Sequence, residues 1–323
     1  MDFRKDVDFD VCTMGEPLAE FSMVGRELFS RGCSGDAVNV AISISRLGLR
    51  AATVAAVGSD EHGAYIIKAL GEEGIYTGGL TVDRDHPTGI YFITLGKEGE
   101  HTFTYYRKGS SASLMRLTRK QKEIAARSAA FHSSGITQAI GDAAARSLKE
   151  AVVTAHNAGV HISYDVNFRP ALTTDKRATA SMRSIKKFIT IFMISAEDYY
   201  LLYGRKRRAE EILEELKDEY EAVIVKDGGR GAWGAEKGKK HFIRSFNIKA
   251  VDATGAGDAF DAGLLSALIQ GMEFEGAMRF ASANAAIKCL KKGGTRGLPT
   301  RRQLNAFLKK YDGPAERGPS GMG

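Results

Sequence analysis

The chain has 323 residues, 43% apolar and 26% charged, the balance of an ordinary globular protein of one large α/β domain or two smaller ones. Its net charge of +7 arises from 46 basic and 39 acidic residues, and the basic runs at 205–208, 237–240 and 288–302 carry no interleaved aromatics, so nucleic acid is not an expected partner. Three widely spaced cysteines (Cys12, Cys33, Cys289) argue against a disulfide framework or a zinc site, and neither an export core in residues 1–10 nor a membrane-length apolar run is visible. A cytoplasmic protein with no membrane partner is the expectation.

In chain order, apolar β-branched runs alternate with helical patterns. Strands are predicted over 9–14, 52–57, 130–132, 161–166, 189–194 and 222–225. Helices are predicted over 37–47, 61–73, 142–157, 179–187, 209–220, 274–288 and 300–311. Such repetition predicts a doubly wound, mostly parallel sheet flanked by helices, with sites gathered at the carboxyl ends of its strands. Two stretches break the rhythm. Residues 16–33 read as extended, and 88–109 read as a hairpin turning at 96–99, so together they predict a small β-sheet lid over the main sheet. A subunit-contact sheet is the other reading of these strands, and the two are compatible. Residues 1–312 are read as a single domain, and the Gly/Pro-rich tail 313–323 as a disordered end.

The most informative stretch runs from Val251 to Phe260 (VDATGAGDAF), where a strand-like run gives way to a helix with Phe260, Leu264, Leu265, Leu268 and Ile269 at helical spacing. Gly255, Ala256 and Gly257 carry almost no side chain, so their amides can close on an anion at the helix N-terminus. Asp258 on the first turn then faces that anion. A carboxylate beside a phosphate cradle opposes binding but suits catalysis, where it takes a proton from a hydroxyl as the phosphoryl group arrives. Glycine turns and acidic caps before helices also arise for structure alone. The stretch is neither a Walker A loop nor a dinucleotide fingerprint, since it lacks both the Gly-Lys-Ser/Thr and the glycine spacing those require.

A second stretch, Ser34-Gly35-Asp36-Ala37-Val38-Asn39, offers a ligand close backbone approach at Gly35 and polar groups at a helix start, although capping alone would explain it. Taken with Ala253–Asp258, with Val57-Gly58-Ser59-Asp60 and Gly63, Asp165–Arg169, Val225–Ala232 and Ala283–Ala286, it resembles the PfkB-type (ribokinase-like) carbohydrate kinases over residues 8–311. The resemblance implies an open α/β core with a β lid, ATP as donor, a sugar hydroxyl as acceptor, and dimers or higher homo-oligomers through the lid. It makes Asp258 the catalytic base and Gly255, Ala256 and Gly257 the stabilisers of the transferring phosphoryl group. On the nucleotide side it implies Ser195, Lys226, Gly228, Gly231 and Asn284 together with Ala256 and Gly257.

Where relatives carry Asn-x-x-Glu for magnesium, this chain has Ser195-Ala196-Glu197-Asp198. Asp198 is therefore the expected Mg²⁺ residue, acting through water, with Glu197 as the alternative. Asp252 and Thr254 match a monovalent-cation loop, which makes potassium a candidate cofactor. Within the family, Gly15-Glu16-Pro17, Thr88–Tyr91, Tyr105–Ser110, Ser134–Thr137 and Asp165–Pro170 are most similar to the 2-keto-3-deoxygluconate kinase branch. A sugar acid needs a cation for its carboxylate, and Arg107 and Arg169 suit that task, while Tyr91 and Tyr105 offer aromatic walls with polar tips. Glu20, Gly35, Asn39, Ile136, Asp165 and Asn167 complete the implied acceptor site. Fructose or another neutral sugar is the alternative acceptor, and a non-catalytic sugar or nucleotide sensor the remote one.

Overall fold

A computed structural model describes residues 1–25, 27–95 and 101–311. In chain order the strands are β1 Phe9–Met14, β2 Leu18–Met23, β3 Phe29–Ser34, β4 Ala51–Gly58, β5 Leu80–Asp83, β6 Ile90–Leu95, β7 His101–Tyr106, β8 Ser128–Ser134, β9 His161–Asp165, β10 Ile191–Ser195, β11 Ala222–Lys226, β12 Ala232–Glu236 and β13 Lys239–Ile243. The helices are α1 Asp36–Arg46, α2 Glu61–Glu72, α3 Arg119–Ala126, α4 Gly135–Ala139, α5 Asp142–Asn157, α6 Asp175–Arg183, α7 Ala196–Tyr203, α8 Ala209–Leu216, α9 Ala256–Ile269, α10 Phe274–Lys288 and α11 Arg301–Tyr311.

Nine strands form one sheet in the order β13-β12-β11-β10-β9-β8-β1-β4-β5. It is parallel from β11 to β5, and β12 and β13 extend it antiparallel. The inner strands of this sheet are buried on both faces, which explains their near-continuous apolar character: β4 and β8 are buried at every position. Helices α1, α2, α9 and α10 cover one face and α3, α5, α7 and α8 the other, each over its own apolar cluster. The strand order reverses at β1, between β8 and β4, so the crevice beyond the carboxyl ends of β1 and β8 is the switch point where open α/β sheets bind ligands.

Four further strands, in the order β3-β2-β6-β7, make the small second sheet. Here β2 pairs parallel with β6, and the other two pairings are antiparallel. The expected turn at 96–99 and the tail 313–323 lie outside the described residues.

Several predicted boundaries shift. The helix expected over 179–187 runs instead from Asp175 to Arg183, because Thr174 accepts the Arg177 amide and caps it four residues earlier. A 3₁₀ turn at Lys186–Phe188 fills the rest. The helix expected to reach 220 ends at Leu216. Helix α3 has no broad apolar face to announce it (RKQKEIAA); a capping box between Thr118 and Gln121 starts it, and Ile124 and Ala125 anchor it. Helix α9 is buried from Asp258 to Leu268, and Gly263 lets α10 approach so closely that a Cβ there would lie 2.7 Å from the Cα of Ala281.

Candidate active site

The start of α9 is built by its glycines. Gly255 adopts φ 76, a left-handed conformation that most side chains resist, and ends the loop directly ahead of the helix. The Ala256 amide is spent within this turn on the Ala253 carbonyl at 3.0 Å. The Gly257 and Asp258 amides, in the first turn, have no acceptor within the helix. The expected cradle is therefore displaced by one residue towards Asp258. Ala256 and Gly257 line a cavity of about 1070 Å³ whose walls also include Gly228, Gly231, Phe246, Ser282 and Ala286.

Asp258 is 8% exposed, and its Oδ2 accepts a hydrogen bond from Asn39 Nδ2 at 2.7 Å. Burial and the neighbouring charge of Asp36 push its pKa up to about 7, against the pull of the Asn39 hydrogen bond. A carboxyl that ionises near neutrality suits a general base. Asp36, whose pKa burial also raises, accepts a hydrogen bond from Ser134 at the end of β8.

Beside it lies a charge cluster that the sequence did not reveal as one unit. Lys226, at the end of β11, donates to Asp165 Oδ2 at 2.9 Å and to Asp261 Oδ1 at 3.0 Å. The two carboxylates raise the Lys226 pKa against the opposing effect of burial. Lys226 also borders the cavity, close to Gly257. The second oxygen of Asp165, Oδ1, is buried without a hydrogen-bond partner among the described residues. Two residues on, buried Asn167 holds φ 37, a strained setting for a non-glycine residue of the kind that gathers at functional sites.

Arg107 follows β7 and forms an ion pair with Glu16, which follows β1 and is itself buried. Ser110 Oγ donates to the same carboxylate at 2.6 Å. In sequence Glu16 belongs only to the Gly15-Glu16-Pro17 motif, and nothing around it announces a partner 91 positions away. Arg107 Nε is buried without a hydrogen-bond partner among the described residues, while its guanidinium carbon lies 5.4 Å from the Tyr105 ring centre. Tyr105 stacks on Tyr91 at 5.2 Å, and Tyr91 donates to the buried Glu20 carboxylate. Arg169 is exposed, and its charge, like that of Arg107, bears on both Asp36 and Tyr105. Gly35 (φ 136) admits no side chain, because a Cβ would lie 2.2 Å from the Glu16 carbonyl. Ile136, partly buried, enters α4 next to Ser134. Glu20, Gly35, Asn39, Tyr91, Arg107, Asp165 and Asn167 are thus brought to the strand ends and the facing second sheet.

Three nucleotide and metal expectations change. Asn284 is fully buried and donates to Ser43 Oγ at 2.9 Å and to the Ala259 carbonyl at 2.7 Å, tying α10 to α1 and α9. Its amide faces the core; Ser282, Ala285 and Ala286 face the cavity instead. Asp198 forms a capping box with Ser195 at the start of α7 and also accepts the Phe168 amide at 2.8 Å. Those hydrogen bonds take most of its roughly four acceptor positions, so it does not fit direct coordination of magnesium and keeps little capacity for the expected contact through water. No group of three or more His, Cys, Asp or Glu suited to a metal occurs among the described residues. Asp252 accepts from the Thr254 amide at 2.9 Å and the Gly293 amide at 2.8 Å. Its main-chain oxygen, a donor of the kind alkali cations take, accepts from Lys288 Nζ at 2.9 Å. This donor set does not fit a free monovalent cation. Gly231, finally, is demanded by packing, since a Cβ there would lie 2.1 Å from the Ile243 carbonyl.

A nine-stranded doubly wound sheet, a second small sheet, and a buried aspartate beside a glycine-lined helix start define a class of phosphoryl-transfer enzymes. The pfkB family carbohydrate kinase pattern matches residues 24–301, and the chain belongs to that family. It is a carbohydrate kinase. Among curated relatives it is similar to probable fructokinase-5 of Arabidopsis thaliana, 30% identical over 312 residues covering 94% of each chain. It is also similar to 2-dehydro-3-deoxygluconokinase of Bacillus subtilis, 29% identical over 308 residues covering 93% of this chain and 95% of that one. Among solved structures, a double-mutant fructokinase from Vibrio cholerae bound to fructose, ADP and potassium superimposes with a TM-score of 0.81 at 25% identity, covering 94% and 100% of the two chains. No helix among the described residues is long and apolar enough to cross a membrane.

Proposed function

We propose that this enzyme transfers the γ-phosphoryl group of ATP to the terminal hydroxyl of a sugar acid, 2-keto-3-deoxygluconate. The observation that carries the phosphoryl transfer is Asp258: buried, ionising near neutrality, and part of a helix start whose open amides adjoin a large cavity. ATP lies in that cavity with its phosphates towards Gly257. The sugar lies between the strand ends and the second sheet. Asp258 takes the hydroxyl proton, the freed oxygen bonds to the γ-phosphorus, and the bond to ADP breaks. The amides of Gly257 and Asp258 stabilise the charge on the moving group. A magnesium ion would arrive with the nucleotide and hold its phosphates.

Arg107 and Arg169 support the acid as acceptor, and the unpartnered Asp165 Oδ1 suits a sugar hydroxyl. The relative from Bacillus subtilis is named for that acid. One observation favours the second reading, fructose: Arg107 already has a carboxylate partner in Glu16. The second sheet is a lid that excludes water, and its exposed Val24, Leu28 and Tyr106 make it a contact between subunits. We place the enzyme in the cytoplasm.

Release of ADP, followed across sugar acids and neutral sugars, tests the assignment. The sugar acid should give the highest kcat/KM, and Arg107→Ala and Arg169→Ala should erase that preference. Variants that keep the wild-type preference, or a wild type that favours fructose, would overturn the reading of a sugar acid held by these arginines.

A further inference from the structure

We propose that Lys288 is a built-in monovalent cation: its ammonium holds the loop ahead of α9 in place, so that the enzyme turns over without a free alkali ion. The proposal rests on the reading of the α9 N-terminus as the phosphoryl site.

Lys288 is the last residue of α10 and is fully buried, one of the largest such side chains among the described residues. Lysine is almost never fully buried unless paired, because removing an ammonium from water is costly. Here Nζ donates to the Asp252 main-chain oxygen at 2.9 Å. That oxygen is part of a tightly stitched junction. The Val251 and Asp252 amides both donate to the Cys289 carbonyl, at 2.7 and 3.1 Å, while Asp252 Oδ1 and Oδ2 accept the Thr254 and Gly293 amides.

The surroundings are those of a cation site. Nζ donates directly to a main-chain carbonyl, and the nearby Asp252 charge favours the ammonium against the opposing effect of burial. An ammonium ion resembles potassium in charge and size, and this one is tethered. Asp252 lies three residues before Gly255, whose left-handed conformation leads into the start of α9, where Ala256 and Gly257 line the cavity. Lys288 reaches neither the cavity nor the reacting atoms, so it is a positioning residue that acts through the loop.

The test compares wild type with Lys288→Ala, which opens a space, and Lys288→Met, which fills it without charge. Turnover is followed in potassium, sodium, ammonium and tetramethylammonium chloride at equal ionic strength. Wild type should run at the same rate in all four, within a factor of about two. Lys288→Ala should lose about tenfold or more in kcat in tetramethylammonium and regain it in potassium or ammonium, whereas Lys288→Met should lose as much and regain nothing. Thermal unfolding of the ligand-free proteins gives a second readout: potassium should raise the Tm of Lys288→Ala but not of wild type, as binding to the folded state requires. Strong activation or stabilisation of wild type by potassium would overturn the proposal, as would full turnover of Lys288→Ala in tetramethylammonium. Should both variants fail to fold, the wild-type series alone still decides. A wild type that phosphorylates no sugar would defeat the kinase reading, while the unfolding scans would still answer for the cation.

Discussion

Asn39 and Asp258, separated by 219 positions in sequence, meet at 2.7 Å in a buried hydrogen bond that joins α1 to α9. The amide donates to the charged form of the carboxyl and so offsets part of the cost of burying it. One contact thereby holds the Asp258 carboxyl in place and tempers the upward shift that burial and the Asp36 charge impose on its pKa.

Activity should follow that ionisation. Since Asp258 gives up its proton near pH 7, kcat/KM should rise as pH passes through about 7. Asn39→Ala removes an interaction that lowers the pKa, so the rising limb should move to higher pH. Asp258→Asn should lower kcat by about 10²–10⁴-fold and still bind ATP. Rate–pH profiles of the three proteins check this, and an unmoved limb in Asn39→Ala would contradict it.

The same shift has a stability sign. With its folded pKa raised above the unfolded value of about 3.9, Asp258 holds its proton more tightly in the native state. Its contribution is full below that unfolded value and is lost as pH rises through about 7. Asp258→Asn should therefore raise Tm relative to wild type at pH 8, with the gain shrinking towards pH 4. Calorimetry across that range is the check.

Removing Arg107 strands Glu16. Arg107→Ala leaves a buried carboxylate without its cation and should cost about 3–5 kcal/mol of folding stability. Adding Glu16→Gln should restore most of that stability but not the preference for an acidic sugar. Denaturant titration and the substrate panel separate the two effects. A double variant as unstable as the single would show that the pair is not what Arg107 stabilises.

Asn284 and Asp198 should behave as structural groups. Asn284→Ala should cost about 1–3 kcal/mol of stability, as loss of a buried hydrogen-bonded amide does, with the KM for ATP unchanged. Asp198→Ala should lower Tm yet leave the magnesium concentration for half-maximal rate where it was. A large shift in either kinetic quantity would return the residue to the binding site.

Unaided, the amino-acid sequence was enough for the alternating elements, the parallel sheet with a second small sheet, and the glycine-lined helix start with its aspartate. These are local or periodic properties: apolar spacing, the left-handed tolerance of Gly255 and caps each act within a few residues. Polar helix α3 and the shifted α6 escaped because caps and a few anchoring contacts, not periodicity, start and hold them. Only the tertiary structure decided how the charges pair. Glu16 meets Arg107, Lys226 bridges Asp165 and Asp261, and Lys288 reaches Asp252, in each case between segments far apart in the chain. It also turned Asn284 into the core and gave Asp198 a cap's work. Whether a carboxylate or an amide faces a ligand or a neighbour depends on which strand ends and helices lie beside it, and the folded topology sets that adjacency.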